Sequence, residues 1–146
     1  MALTVKIVNN SNNGLPAYAS NGASGMDLRA DLSKQITLGP MERILVPTGL
    51  SIELPSGYEA QVRPRSGLAI RQGLTCLNSP GTVDSDYRGE IKIVLINLSG
   101  ENQIINPGDR IAQIVFQKVE KIEWDQVTFL TETVRNDGGF GSTGKN

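Results

Sequence analysis

Apolar and β-branched residues in this 146-residue chain come in runs only three to nine residues long, and every run is closed off by turn-forming residues. The runs are Thr4-Val8, Ile44-Val46, Leu50-Leu54, Tyr58-Arg63, Ile91-Ile96 and Ile111-Val119. Gly39-Pro40, Pro55-Ser56-Gly57, Ser99-Gly100 and Pro107-Gly108-Asp109 supply the punctuation. This spacing predicts an all-β barrel or sandwich. One short helix fits, over Ser66 to Gln72, entered from Arg63-Pro64-Arg65 and stopped by Gly73. The length suits one domain with a real core. We expect that β domain over residues 1–134, followed by a mobile tail over residues 135–146, because a segment of mostly glycine and polar residues should not pack as a strand.

Charge and residue inventory then narrow the chemistry. With 14 Lys plus Arg against 15 Asp plus Glu, there is no broad electrostatic reason to bind a nucleic acid polymer. No stretch approaches the roughly 20 apolar residues that span a bilayer, and Met1 to Asn10 lacks a basic region followed by an apolar run. The expectation is a soluble cytoplasmic protein without a membrane partner. Histidine is absent and Cys76 is the single cysteine, which excludes a His or Cys/His zinc site and both Ser-His-Asp and Cys-His catalysis. Acid–base work must come from Asp, Glu, Tyr, Lys or a metal-bound water. Cys76 and Trp124 read as packing residues.

Three polar clusters remain. Arg65-Ser66-Gly67 opens the helix, where free N–H groups and the positive dipole end favour an anion; the same residues also read as an N-cap beside a solvated arginine. Asp84-Ser85-Asp86-Tyr87-Arg88-Gly89-Glu90 is either a hydrophilic hairpin tip or the source of a general base toward water. Gly139-Phe140-Gly141-Ser142-Thr143-Gly144-Lys145 has P-loop spacing but neither the following helix nor a Ser or Thr after the lysine. Its glycines still suit close approach to phosphates, and Phe140 needs a flat surface to cover.

Taken in order, these clusters resemble the five motifs of the trimeric dUTPase family. Ser24-Gly25-Met26-Asp27-Leu28-Arg29-Ala30 is the first and Pro64-Arg65-Ser66-Gly67-Leu68-Ala69 the second. The third spans Gly81 to Glu90, the fourth is Gly108-Asp109-Arg110-Ile111-Ala112-Gln113, and the fifth spans Arg135 to Gly144. Two positions depart from the family pattern: Ser24 stands where Ala is frequent, and Asn136 where Gly is common. Asn tolerates left-handed backbone better than most residues.

The resemblance implies a jelly-roll-like β subunit, assembled as a threefold homotrimer with active sites shared between subunits. It implies a magnesium-dependent hydrolase cutting dUTP to dUMP and pyrophosphate, which limits uracil in DNA and supplies dUMP for thymidylate synthesis. By motif, Asp84 orients and deprotonates the attacking water, with Asp86 next in line, and Asp27 holds water ligands of the magnesium. Arg65, Ser66, Gly67 and Gln113 bind phosphate oxygens, Asn78 lies on the uracil-reading hairpin, and Tyr87 packs on the deoxyribose. Arg135, Phe140, Gly141, Ser142 and Thr143 belong to a closing tail. Two rival readings are a dCTP deaminase, which shares some motifs without this form of tail, and a noncatalytic jelly-roll interaction or shell module.

Overall fold

A computed structural model describes residues 2–146. The elements are β1 (Lys6–Asn9), β2 (Met26–Arg29), β3 (Ile36–Leu38), β4 (Arg43–Glu53), β5 (Tyr58–Arg63), α1 (Ser66–Gln72), β6 (Leu74–Cys76), β7 (Gly81–Val83), β8 (Ile91–Asn97), β9 (Gln103–Ile105) and β10 (Arg110–Lys118). They form two four-stranded antiparallel sheets, ordered β1-β4-β8-β6 and β2-β10-β5-β7, with β3-β9 as a separate pair. One apolar cluster draws on both large sheets, including Leu28, Ala60, Val62 and Ile114 from one and Val46, Ile52, Ile93 and Leu95 from the other. This is the expected all-β sandwich with one short helix. Among the described residues, no helix is long and apolar enough to cross a membrane.

Alternation explains β5, where Ala60 and Val62 turn inward while Glu59, Gln61 and Arg63 stay partly exposed. The two expected runs Ile44-Val46 and Leu50-Leu54 belong to a single strand, β4, whose pairing with β8 shifts register between Pro47 and Leu50. Thr48 satisfies that irregularity, donating its hydroxyl to the Ile91 carbonyl and accepting the Leu50 N–H at 3.2 Å. Gly49 sits at φ +71, and a Cβ there would fall 2.8 Å from the Ser11 nitrogen and 2.9 Å from an Asp31 oxygen. Only glycine allows the chain to pass so closely.

Asn97, fully buried at the end of β8, ties the edge pair to the main sheet. Its amide donates to the Leu38 and Glu101 carbonyls, both at 2.8 Å, and its oxygen accepts the Ser99 N–H at 2.9 Å. Each bond contributes about 1 kcal/mol net, but leaving such groups buried and unmet costs about 1–3 kcal/mol apiece, so an apolar replacement would be worse than its size suggests. Helix α1 occupies Ser66–Gln72 as expected, and Gly73 closes it at φ 64. The N-cap reading of Arg65-Ser66 fails, however: Arg65 is the cap residue and no side chain bonds back to the first turn.

Two surfaces lack partners within this chain. β4 and β8 carry an apolar patch on their outer face: Leu45, more than half exposed, lies opposite Val94. Past β10, Val119 donates to Gly57 at 2.9 Å, and residues 120–134 then form no strand or helix. Trp124 therefore does not pack as expected; it is 92% exposed, in a segment that also exposes Ile122, Phe129 and Leu130.

Cys76 does pack, and burial pushes its thiol up to about 11 from 9.0. Since the folded value lies above the unfolded one, this group's contribution to stability is complete below about pH 9 and declines as pH rises toward 11. Native protein at pH 8 should leave a thiol-specific disulfide reagent essentially unreacted, whereas denatured protein should react with one equivalent; rapid native labelling would contradict the burial.

Candidate active site

The adjacency of β2, β10 and β5 sets one polar cluster. Gln113 on β10 is the direct cross-strand partner of Asp27 on one side and Arg63 on the other, so all three side chains share one face of the sheet. Arg65 Nε lies 2.9 Å from one Asp27 oxygen, and Arg110 Nη1 lies 3.7 Å from the other. Arg65 also donates to the Arg110 carbonyl at 3.2 Å, while the Gln113 amide donates to the Pro64 carbonyl at 3.0 Å. The ion pairs are about one-third exposed on the Asp27 side, where such contacts add at most about 1 kcal/mol; their effect is to fix geometry. Gly25 is part of the construction, because a Cβ there would sit 2.6 Å from the Gln113 side-chain oxygen. Ser66 and Gly67 occupy the first turn of α1, and the Arg71 guanidinium folds back over Gly67, 2.7 Å from where a Cβ would lie.

A second cluster lies around the β7–β8 hairpin. Asn78, Asp84 and Tyr87 line one pocket of about 510 Å³ with Val62, Cys76 and Gly81 among its walls. The loop from Asp84 to Tyr87 closes as a turn, with the Tyr87 N–H donating to the Asp84 carbonyl at 3.2 Å. Tyr87 then folds over Gly89, placing its hydroxyl 2.9 Å from the Glu90 carbonyl; a Cβ on Gly89 would collide with the ring at 2.5 Å from Cζ. Asp84 and Asp86, indistinguishable by composition, differ here. Both border an outer pocket of about 620 Å³, but Asp84 alone of the two also lines the pocket that holds Asn78 and Tyr87.

The tail residues form a third group, built from local turns. Arg135 Nε donates to the Gly138 carbonyl at 2.7 Å, and the Ser142 N–H donates to the Gly139 carbonyl at 3.0 Å. Asn136 adopts φ 51 and Phe140 φ 49, so the position that departs from the family's glycine does take the left-handed backbone that asparagine tolerates. Gly141 follows at φ 87, and the Phe140 ring is fully exposed. Among the described residues, the one hydrogen bond from residues 135–146 to the preceding chain is local, the Asn136 N–H to the Thr133 hydroxyl at 3.0 Å, and none reaches a strand or the helix.

Within one chain the sites expected from sequence thus fall into three separate groups. The pockets beside Asp27 and Arg65, about 200 and 240 Å³, contain neither Asn78, Asp84 nor any tail residue. Sequence reasoning left Arg110 and Arg63 without roles. Arg110 could have been found through the Gly108-Asp109-Arg110 turn, whereas Arg63 becomes conspicuous only once strand register is known.

The profile of the dUTPase family matches residues 11–144. The deoxyuridine 5'-triphosphate nucleotidohydrolase of Finegoldia magna is 59% identical over 142 residues, covering 97% of this chain and 99% of that protein. Its counterpart in Cytophaga hutchinsonii is 59% identical over 145 residues, covering 99% and 94%. Among solved structures, the Staphylococcus bacteriophage 80alpha dUTPase with dUPNHPP superposes with a TM-score of 0.83 at 23% identity, covering 97% of this chain and 99% of that one. The phage phi11 dUTPase of S. aureus gives 0.77 at 22% identity, covering 89% and 99%; at such identities the likeness speaks for the fold. Both the profile match and the near-full-length relatives establish that this chain belongs to the dUTPase family.

Proposed function

We propose that the chain hydrolyses dUTP to dUMP and pyrophosphate with a water activated by Asp84. The observation that carries this reading is identity of 59% with a deoxyuridine 5'-triphosphate nucleotidohydrolase across nearly the whole of both chains. The geometry adds to it: the one carboxylate of the Asp84/Asp86 pair that reaches the Asn78–Tyr87 pocket is the one assigned as base. In the reaction the water oxygen bonds to the α-phosphorus, its proton passes to an Asp84 carboxylate oxygen, and the bond from that phosphorus to the α,β-bridging oxygen breaks, so that pyrophosphate leaves with the bridging oxygen. Asn78 offers an amide to the polar edge of uracil. A mismatched base leaves buried donors or acceptors unpaired, which discriminates more strongly than lost apolar contact. The Tyr87 ring lies under the sugar, where its bulk opposes a 2′-hydroxyl.

Arg65, Ser66, Gly67 and Gln113 hold phosphate oxygens, which is most of what a protein contributes to phosphoryl chemistry with little covalent assistance. Among the described residues, no three His, Cys, Asp or Glu side chains form a metal cluster. Magnesium retains several waters and takes phosphate oxygens plus few carboxylates, so the single carboxylate of Asp27, beside the phosphate-binding Arg65 at 2.9 Å, would hold its water ligands. When bound, the ion neutralises charge on the triphosphate. The activity belongs in the cytoplasm, where the nucleotide pool lies, and there it removes dUTP before uracil enters DNA while providing dUMP for thymidylate synthesis.

The working unit is a homotrimer. Three separate groups of site residues, the apolar outer face at Leu45 and Val94, and the exposed segment with Trp124 all favour neighbours that bring these groups together. Residues 135–146 serve as a lid, with Phe140 over the base and Arg135, Gly141, Ser142 and Thr143 toward the phosphates.

Mutagenesis, subunit mixing and hydrogen exchange test this function. Asp84→Asn should keep affinity for dUTP while turnover falls about 10²- to 10⁴-fold, the loss typical of a missing general base; near-normal turnover would shift the role to Asp86. Mixing Asp84→Asn chains with chains truncated before Arg135 should restore part of the activity, and light scattering of a fully active monomer would refute shared sites. Phe140→Ala should lower kcat/KM roughly 5- to 150-fold, if base stacking here matches its usual strength. Hydrogen exchange over residues 135–144 should slow with a nonhydrolysable dUTP analogue, and equal exchange with and without it would eliminate the lid.

A further inference from the structure

Arg63 has no counterion. It is half-buried at the end of β5, and no carboxylate among the described residues lies within 4.0 Å of its guanidinium. Instead Nε and Nη2 both donate to the Gln61 side-chain oxygen, at 3.1 and 2.8 Å. The Gln61 amide in turn donates to a Glu59 oxygen at 2.8 Å. This ladder runs along the outer face of β5, where residues 59, 61 and 63 project together. The distal carboxylate polarises the Gln61 amide and strengthens its oxygen as an acceptor, so the guanidinium is held in one orientation without being neutralised. A partly desolvated positive charge fixed in this way favours an anion at its remaining N–H groups.

Register sets Arg63 in a row with two other polar side chains. Arg63 is the cross-strand partner of Gln113, and Gln113 is the partner of Asp27. With strands about 4.8 Å apart, the row Asp27–Gln113–Arg63 extends about 10 Å across the sheet, long enough for a polyphosphate chain laid over three strands. Arg65 and Arg110 are both turned to Asp27 at one end of this row, leaving Arg63 as the cation at the other.

We propose that Arg63 is a further polyphosphate-binding residue of this site, contacting the part of the substrate that leaves as pyrophosphate. The inference rests on the reading of the site as one for dUTP. Its specific consequence is discrimination by phosphate number: Arg63 recognises a triphosphate and is indifferent to the monophosphate product.

Titration calorimetry of the full-length protein with dUMP and with α,β-imido-dUTP, in magnesium, tests this together with steady-state hydrolysis. Arg63→Gln should weaken the imido analogue about 10- to 100-fold, the range for losing a charged hydrogen bond, while dUMP affinity changes less than about twofold. KM should rise more than kcat falls. Arg63→Lys should recover part of the loss, and Gln61→Leu, which frees the guanidinium without removing it, should cost less than Arg63→Gln. Unchanged analogue binding in Arg63→Gln would overturn the proposal. So would a parallel loss of dUMP and analogue affinity, or a change in oligomeric state by light scattering, since either marks a merely structural role. If Arg63→Gln does not fold, the Lys and Leu variants decide by the same comparison. Wild-type protein that binds neither nucleotide would defeat the dUTP reading itself, an outcome distinct from wild-type binding that Arg63→Gln leaves intact.

Discussion

Strand β10 lies between β2 and β5, and the polar chemistry of this chain depends on that adjacency. Asp27, Arg63 and Gln113 are remote in sequence, yet two antiparallel registers through Gln113 set them in one row. The Pro64 turn then carries Arg65 back to Asp27 at 2.9 Å, while the Gln113 amide secures the turn by bonding the Pro64 carbonyl. A slip of one residue in either register would reverse which side chains face outward, burying the polar row and exposing Ala112 and Ile114. Core burial and site geometry are therefore specified by the same pairing, which gives the site the precision of the sheet.

The opposite sheet is organised by a different demand. The outer face of β8 is polar only at Lys92, because beyond it Val94 and Ile96 alternate there with the inward Ile93 and Leu95. A strand apolar on both sides is at home when covered on both sides. Within this chain the outer side is covered at Ile96 but open at Leu45 of β4 opposite Val94, and residues 120–134 leave the domain with large apolar side chains exposed. Both features lie apart from the Asp27 row, but Leu45 and Val94 also line the pocket of Asn78, Asp84 and Tyr87, so in the proposed trimer a neighbour covering this face would also wall the nucleoside pocket.

How much of this could be read in advance depended on the range of the interaction. Helix α1 was legible because Pro64 and Gly73 delimit it locally, and β5 because its alternation is clean over Tyr58–Arg63. The strands β2, β3, β6, β7 and β9, three or four residues each, offer too little periodicity to be separated from loops. The bulge in β4 split one strand into two apparent runs, since Pro47-Thr48-Gly49 interrupts the apolar pattern, and continuity shows only in Thr48 bonding across to Ile91. Trp124 misled for the converse reason: size and apolarity predict burial, but they do not say that the burying surface lies in the same chain. The motif residues were legible as chemistry. Their partition into three groups was not, and neither was the Arg63 ladder, because both arise from register and topology.

The tail completes the argument about how such a site can turn over. Its conformation rests on local turns, and Phe140 at φ 49 adopts backbone that costs a non-glycine residue about 1–2 kcal/mol. Ordering each further residue costs about 1–2 kcal/mol of backbone entropy, so fixing even five residues exceeds the roughly 1–3 kcal/mol that one aromatic–base stack returns. Stacking on uracil is therefore insufficient to hold a lid closed. In the proposed lid the difference falls to charged hydrogen bonds between the polyphosphate and groups such as Arg135 and the hydroxyls of Ser142 and Thr143, at about 1.5–3 kcal/mol each. Substrate carries that polyphosphate and dUMP does not. Hydrolysis would then remove the interactions that keep the tail ordered, and the entropy stored in its glycines would favour opening as the products form.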